Sequence, residues 1–208
     1  MPVLTFPFGP LETNAYLLHN GQDALVADPP DDPARVLEVI QDKGLTLRAI
    51  VLTHLHFDHA GGCAALSGAT GLPVLVGRED WELRDVLLSG AMLFGLPPVP
   101  AFEAEVLAPG PVPAGTWGSL DCTVLHAPGH SPGSLCYYFP EEKALLAGDV
   151  IFYRSVGRSD LPGGDFDTLC RSLRSSVYTL PEDTVIYPGH GERTTVGIEA
   201  AFNPICPA

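Results

Sequence analysis

Short apolar runs separated by glycine and proline recur along the chain, and their spacing switches between a strand period and a helix period. Residues 14–20 and 24–28 form compact apolar blocks that suit strands, and Asn20-Gly21 between them favours a hairpin turn. Asp32 and Pro33 suit a helix start, Val36, Leu37, Val39 and Ile40 supply its apolar positions, and Gly44 is placed to end it. Residues 48–53 make an apolar strand that runs directly into His54. Helices are predicted over 62–67 and 79–88, with a strand at 73–76 between them. A Pro- and Gly-rich connection covers 93–118. Beyond it the pattern predicts strands at 122–127, 135–139 and 144–147, a helix over 166–178, a strand at 185–187 and a last helix over 196–201. Strand clusters flanked by helices in both halves specify a layered α/β architecture.

Composition narrows this picture. At 208 residues, with 46% hydrophobic and 17% charged positions, the chain suits one domain over 1–208 with two similar halves, about 1–104 and 105–208. The formal charge of −14 repels phosphate backbones and anionic lipid, so neither a nucleic-acid nor a membrane partner is expected. The uncharged run 86–102 is broken by Gly90, Gly95, Pro97, Pro98 and Pro100 and is too short to span a bilayer, and residues 1–10 lack a basic leader. A cytoplasmic location is the expectation. Five cysteines without a Cys-x-x-Cys pair are read as reduced, mostly buried side chains, and Cys63 as helix packing rather than a nucleophile.

The candidate chemistry sits at predicted strand ends. Thr53 to Gly62 reads Thr-His-Leu-His-Phe-Asp-His-Ala-Gly-Gly, just after the 48–53 strand. Residues two apart on extended backbone project to one side, so His54 and His56 can grip one ion. The bend into the helix re-aims Asp58 and His59 toward a second. His130 in Pro-Gly-His-Ser-Pro-Gly, Asp149 in Ala-Gly-Asp, and His190 in Pro-Gly-His-Gly follow other predicted strands. His19 and His126 are left with ordinary polar roles.

These motifs together resemble the metallo-β-lactamase superfamily over nearly the whole chain. The resemblance implies an αββα four-layer sandwich with a dinuclear metal site at one edge. It assigns His54, His56 and His130 to the first ion, Asp58, His59 and His190 to the second, and Asp149 to a bridge between them. A carboxylate at Asp149 and a histidine at His59 fit the hydrolase branch, where true β-lactamases typically carry cysteine and arginine. The cofactor implied is two divalent ions, zinc foremost, with iron or manganese also suited to imidazole and carboxylate donors. The segment 155–165, with Gly189-His190-Gly191 and Asn203-Pro204, resembles short glyoxalase II-like proteins of the hydroxyacylglutathione hydrolase family. That implies a glutathione thioester as the small-molecule substrate and Arg158 with Tyr153 as substrate contacts, while Asp58, both ligand and carboxylate, is the candidate proton acceptor. A structural ion pair of Arg158 with Asp160 or Asp165 is the simpler alternative. The chain ends shortly after His190, without the C-terminal helical domain that supplies much of the glutathione contact in that family. A mononuclear-iron persulfide dioxygenase, or a lactone or ester hydrolase, are the competing activities. Residues 92–102 read first as a connection folded onto the core, and second as an apolar substrate mouth.

Overall fold

The computed structural model describes residues 3–208. Two six-stranded sheets face each other. The first runs in order β1 (Val3–Phe8), β2 (Thr13–His19), β3 (Asp23–Ala27), β4 (Thr46–Val51), β5 (Val74–Gly77) and β6 (Ala104–Leu107). In the second, β7 (Gly110–Pro111), β8 (Thr123–His126), β9 (Leu135–Phe139) and β10 (Ala144–Gly148) lie side by side, followed by β13 (Val185–Pro188) and β14 (Thr194–Thr195). A ribbon of β11 (Ile151–Phe152) and β12 (Ser155–Val156) stands apart. The helices are α1 (Ala34–Asp42), α2 (Phe57–Ala60), α3 (Cys63–Thr70), α4 (Arg78–Glu82), α5 (Arg84–Leu88), α6 (Phe166–Ser172) and α7 (Val196–Phe202).

Alternation along the strands builds the layers. Tyr16, Leu18, Leu25, Ala27, Ala49 and Val51 meet Val124, Leu135, Tyr137 and Leu146 between the sheets. Their neighbours Leu17, Ala24, Val26 and Ile50 point the other way, onto Val36 of α1, Leu66 of α3 and Leu87 of α5. Cys136, Leu145 and Ile186 turn outward from the second sheet onto Leu169, Leu173 and Val196. Strands buried on both faces read as continuous apolar runs, and the result is the expected four layers of helix, sheet, sheet and helix. No helix among the described residues is long and apolar enough to cross a membrane.

Several details depart from the sequence expectation. Val3–Phe8, to which the sequence pattern assigned no element, is a strand in register with β2. It lies at the sheet edge, where the missing N–H of Pro7 is tolerated. The connection 93–118 contains β6 and β7, whose pairing is with distant chain. The helix expected over 79–88 breaks at Leu83, and a 3₁₀ turn, Ser89–Phe94, follows it. The cysteine expectation is corrected: Cys170 and Cys206 form a disulfide, with Cα atoms 5.4 Å apart. The chain end folds back onto α6, and just beyond that helix Tyr178 Oη donates to the Cys206 carbonyl, a proximity that spacing does not signal. Cys63, Cys122 and Cys136 are free and buried.

A buried carboxylate fastens the sheet to the loop before β8. Asp23 accepts from Arg48 Nε at 2.6 Å, Ser119 N at 2.8 Å and Ser119 Oγ at 2.6 Å. The Ser119 bonds and then Arg48 hold its carboxyl down at about 2. Asp23→Asn should therefore lower stability by about 2–4 kcal/mol at neutral pH, or roughly 5 °C or more in Tm. A depressed carboxyl stabilises above its unfolded value of 3.8 and loses that contribution as pH falls toward about 2. The Tm gap between wild type and variant, followed by circular dichroism, should be full at pH 6 and shrink below pH 4.

Candidate metal centre

Five histidines and two aspartates converge at the edge of the sandwich where strands from both sheets end. Donor atoms of His54, His56 and His130 lie within 4.8 Å of one another, as do those of His54, His59 and Asp149, and those of Asp58, His59 and His190. The three groups overlap, so one cluster contains every residue the motifs singled out as a ligand candidate.

Four of the five rings are oriented by a bond on their far side. Asp28 accepts from Thr53 N at 2.8 Å and Thr53 Oγ1 at 2.7 Å. Thr53 Oγ1 has thus given its proton away, and at 3.1 Å it accepts from His54 Nδ1. Asp28 Oδ2 also takes the Nδ1–H of His59 at 2.9 Å. His130 Nδ1 donates to the Arg158 carbonyl at 2.7 Å, and His190 Nδ1 to the Leu11 carbonyl at 3.0 Å. These partners fix the tautomers and leave Nε2 of all four rings as a lone pair aimed inward.

The lone pairs then face one another. His130 Nε2 lies 3.1 Å from His54 Nε2 and 2.9 Å from His56 Nδ1. Nitrogens at that separation need something positive between them. His59 Nε2 and Asp149 Oδ1 are buried without a hydrogen-bond partner, 3.4 Å apart. Burial and the neighbouring imidazoles push His54 well below the ordinary histidine value, and His56 to about 3, so both rings are neutral. Burial opposes charge on His59, but Asp149, Asp28 and Asp58 outweigh it and raise its pKa. Asp149 stays ionised despite burial because His59, His130 and His190 surround it. Imidazole nitrogens turned inward beside carboxylates fit divalent cations, and the absence of thiolate among them leaves zinc, iron and manganese all compatible.

Two residues that sequence reasoning passed over hold this arrangement. One is Asp28, whose φ of 50° is unusual for an aspartate. The other is Asp80, fully buried, which accepts from Leu55 N at 2.9 Å, Ser131 Oγ at 2.8 Å and Gly133 N at 2.6 Å. Leu55 lies between two of the histidines and Ser131 beside a third, so one carboxylate ties the two ligand loops together. Gly189 matters through what it lacks. A Cβ there would overlap Asp149 Oδ1 and lie 2.7 Å from His59 Cε1. Gly189→Ala should lower metal affinity about 10–100-fold while circular dichroism stays native, as read by elemental analysis and chelator competition.

A cleft of 580 Å³ opens over the cluster. His56, Asp58, His130, Asp149 and His190 reach its floor, and Leu11, Phe57, Val86, Leu93, Phe94, Phe152 and Leu161 line its walls. A smaller cavity of 330 Å³ lies beyond Leu11 and Phe57 and shares Asp58. Arg158 is at the wall, held by Asp160 through Nε at 2.7 Å and Nη2 at 2.8 Å, while Asp165 caps α6. Tyr153, expected as a substrate contact, is not among the lining residues. Phe152 takes that place, because the chain turns after β11 with Arg154 at a φ of 53° and carries Tyr153 out toward solvent. The segment 92–102 serves both expected ends: Leu93 and Phe94 line the cleft, whereas Val99 and Phe102 pack against the core.

Comparison with known proteins agrees with this geometry. The chain is 38% identical to the probable metallo-hydrolase YqgX of Bacillus subtilis, over 95% of this chain and 94% of that one. It is 32% identical to the hydroxyacylglutathione hydrolase GloC of Haemophilus influenzae, over 98% and 97%. Among solved structures, the BLEG-1 B3 metallo-beta-lactamase superposes with a TM-score of 0.90 at 38% identity, covering 100% of both chains. The di-iron-bound form of TTHA1623 does so at 0.85 and 41%, covering 98% and 99%. The sequence pattern of one family matches residues 8–190, from the end of the first strand to the last histidine of the cluster. With its paired sheets and its histidines at their shared edge, the chain belongs to the metallo-beta-lactamase superfamily.

Proposed function

We propose that this chain is a metal-dependent hydrolase of small acyl thioesters, with S-lactoylglutathione as the reference substrate. The observation that carries the reading is the set of imidazole nitrogens and carboxylate oxygens facing one another at the cleft floor. His54, His56 and His130 would hold one ion, Asp58, His59 and His190 a second, and Asp149 lies against both groups. Two divalent ions there, zinc first among the candidates, would supply Lewis-acid polarisation of a carbonyl and a bound water acidified toward about 7.

The chain's own groups do the rest. Thr13 Oγ1 donates to Asp58 Oδ2 at 3.1 Å, leaving Oδ1 to take a proton from the attacking water. The water oxygen bonds to the acyl carbon, the carbon–sulfur bond breaks, and the sulfur leaves with the electron pair and picks up a proton. A thiolate is a good leaving group, so no strong general acid is required. The relative named as a hydroxyacylglutathione hydrolase supports a thioester, and the one named as a metallo-hydrolase supports the broader class.

Elemental analysis of the purified protein, paired with a thiol-release assay on S-lactoylglutathione, tests this reading. Two equivalents of divalent metal and metal-dependent thiol release are expected. Oxygen consumption with glutathione persulfide, and no thiol release from the thioester, would overturn it in favour of a dioxygenase.

A further inference from the structure

The cleft carries a statement about substrate that rests on the thioester-hydrolase reading and goes beyond it. Its outer wall is apolar and open to solvent: Leu93 is 85% exposed, Phe94 55% and Val86 47%. Side chains of this size grouped at a mouth over a reactive centre are a surface that a ligand covers. The wall is built rather than loose. The Phe57 and Phe94 rings stand 5.3 Å apart, and a Cβ on Gly90 would come within 2.9 Å of Phe57, so only glycine lets the 3₁₀ turn seat there.

Charge points the same way. Among the lining residues of the described chain, Arg158 is the one arginine or lysine, and two of its three side-chain nitrogens, Nε and Nη2, are engaged by Asp160. Glutathione brings two carboxylates and an ammonium. Desolvating carboxylates against such walls, with the one guanidinium already paired, is costly. An apolar chain meets no such cost, and each methylene buried adds about fourfold to affinity.

We propose that the cleft selects uncharged acyl thioesters with an apolar chain and discriminates against the anionic thiol moiety of glutathione. The test is calorimetric binding of two hydrolysis-resistant thioethers to the metal-loaded protein, S-hexyl-N-acetylcysteamine and S-hexylglutathione, which share the hexyl chain and differ in the charge of the thiol half. The uncharged thioether should bind at least about tenfold more tightly. Leu93→Asp, at a position too exposed to threaten folding, should weaken it at least about fivefold. Equal or tighter binding of S-hexylglutathione, or an unchanged affinity in Leu93→Asp, overturns the proposal. Thiol release from S-hexanoyl-N-acetylcysteamine and S-lactoylglutathione is measured alongside. If neither is cleaved while the thioethers bind as expected, the hydrolase reading falls and the cleft assignment stands. If both are cleaved while the glutathione thioether binds more tightly, the reverse holds.

Discussion

Asp149→Ala is expected to abolish turnover and to strip the centre of metal. Asp149 Oδ1 is 3.4 Å from His59 Nε2, and its Oδ2 is 3.7 Å from His130 Nε2 and 3.5 Å from His190 Nε2. No other carboxylate among the described residues touches all three. Without it, cations would meet neutral imidazoles on one side and Asp58 alone on the other. Losing several kcal/mol of transition-state charge stabilisation lowers kcat/KM by roughly 10³-fold or more. Elemental analysis should fall from two equivalents toward one or fewer. The fold should survive, because removing a buried carboxylate leaves no new charge unpaired, and circular dichroism checks that. Full activity in a metal-depleted Asp149→Ala protein would sink the mechanism.

Asp80→Ala should cost nearly as much from outside the cluster. Its carboxylate is the acceptor for Leu55 N, Gly133 N and Ser131 Oγ, all buried. Three orphaned donors destabilise the protein by about 3–5 kcal/mol. Because these donors flank His54, His56 and His130, the rings should also lose their mutual alignment, with metal affinity falling about 10–100-fold. Asp80→Asn separates the two effects. Its amide fills the same volume but turns an NH₂ toward donors, so a role confined to packing leaves metal affinity near wild type, whereas a positioning role lowers it. Measuring Tm and chelator-competed metal affinity on both variants decides between them.

Local pattern carried much of the architecture. Strands such as Leu135–Phe139 and the Val196–Phe202 helix are continuous apolar or amphipathic segments bounded by turn residues, and they fold as their periodicity predicts. The elements that escaped notice are those whose evidence lies elsewhere in the chain. Val3–Phe8 is a strand because Thr13–His19 pairs with it, and Ala104–Leu107 becomes one only because Val74–Gly77 lies alongside. The Cys170–Cys206 disulfide depends on the chain end folding back, again a distant event.

The same division runs through the site. The donor types are written in short motifs at strand ends, where side-chain period and flanking glycines say which residues can project together. Which nitrogen of His59, His130 and His190 faces inward is decided by Asp28, the Arg158 carbonyl and the Leu11 carbonyl, as far as 179 residues away. Backbone carbonyls have no signature in sequence. Asp80 looked like one more helical acid, and it took the closing of two loops around it to make it a tether. The formal charge of −14 argued against anionic polymers from the sequence alone. That the cleft itself is apolar, with its one arginine already paired, is a property of surfaces assembled from five separate stretches of chain, and only tertiary packing brings those surfaces together.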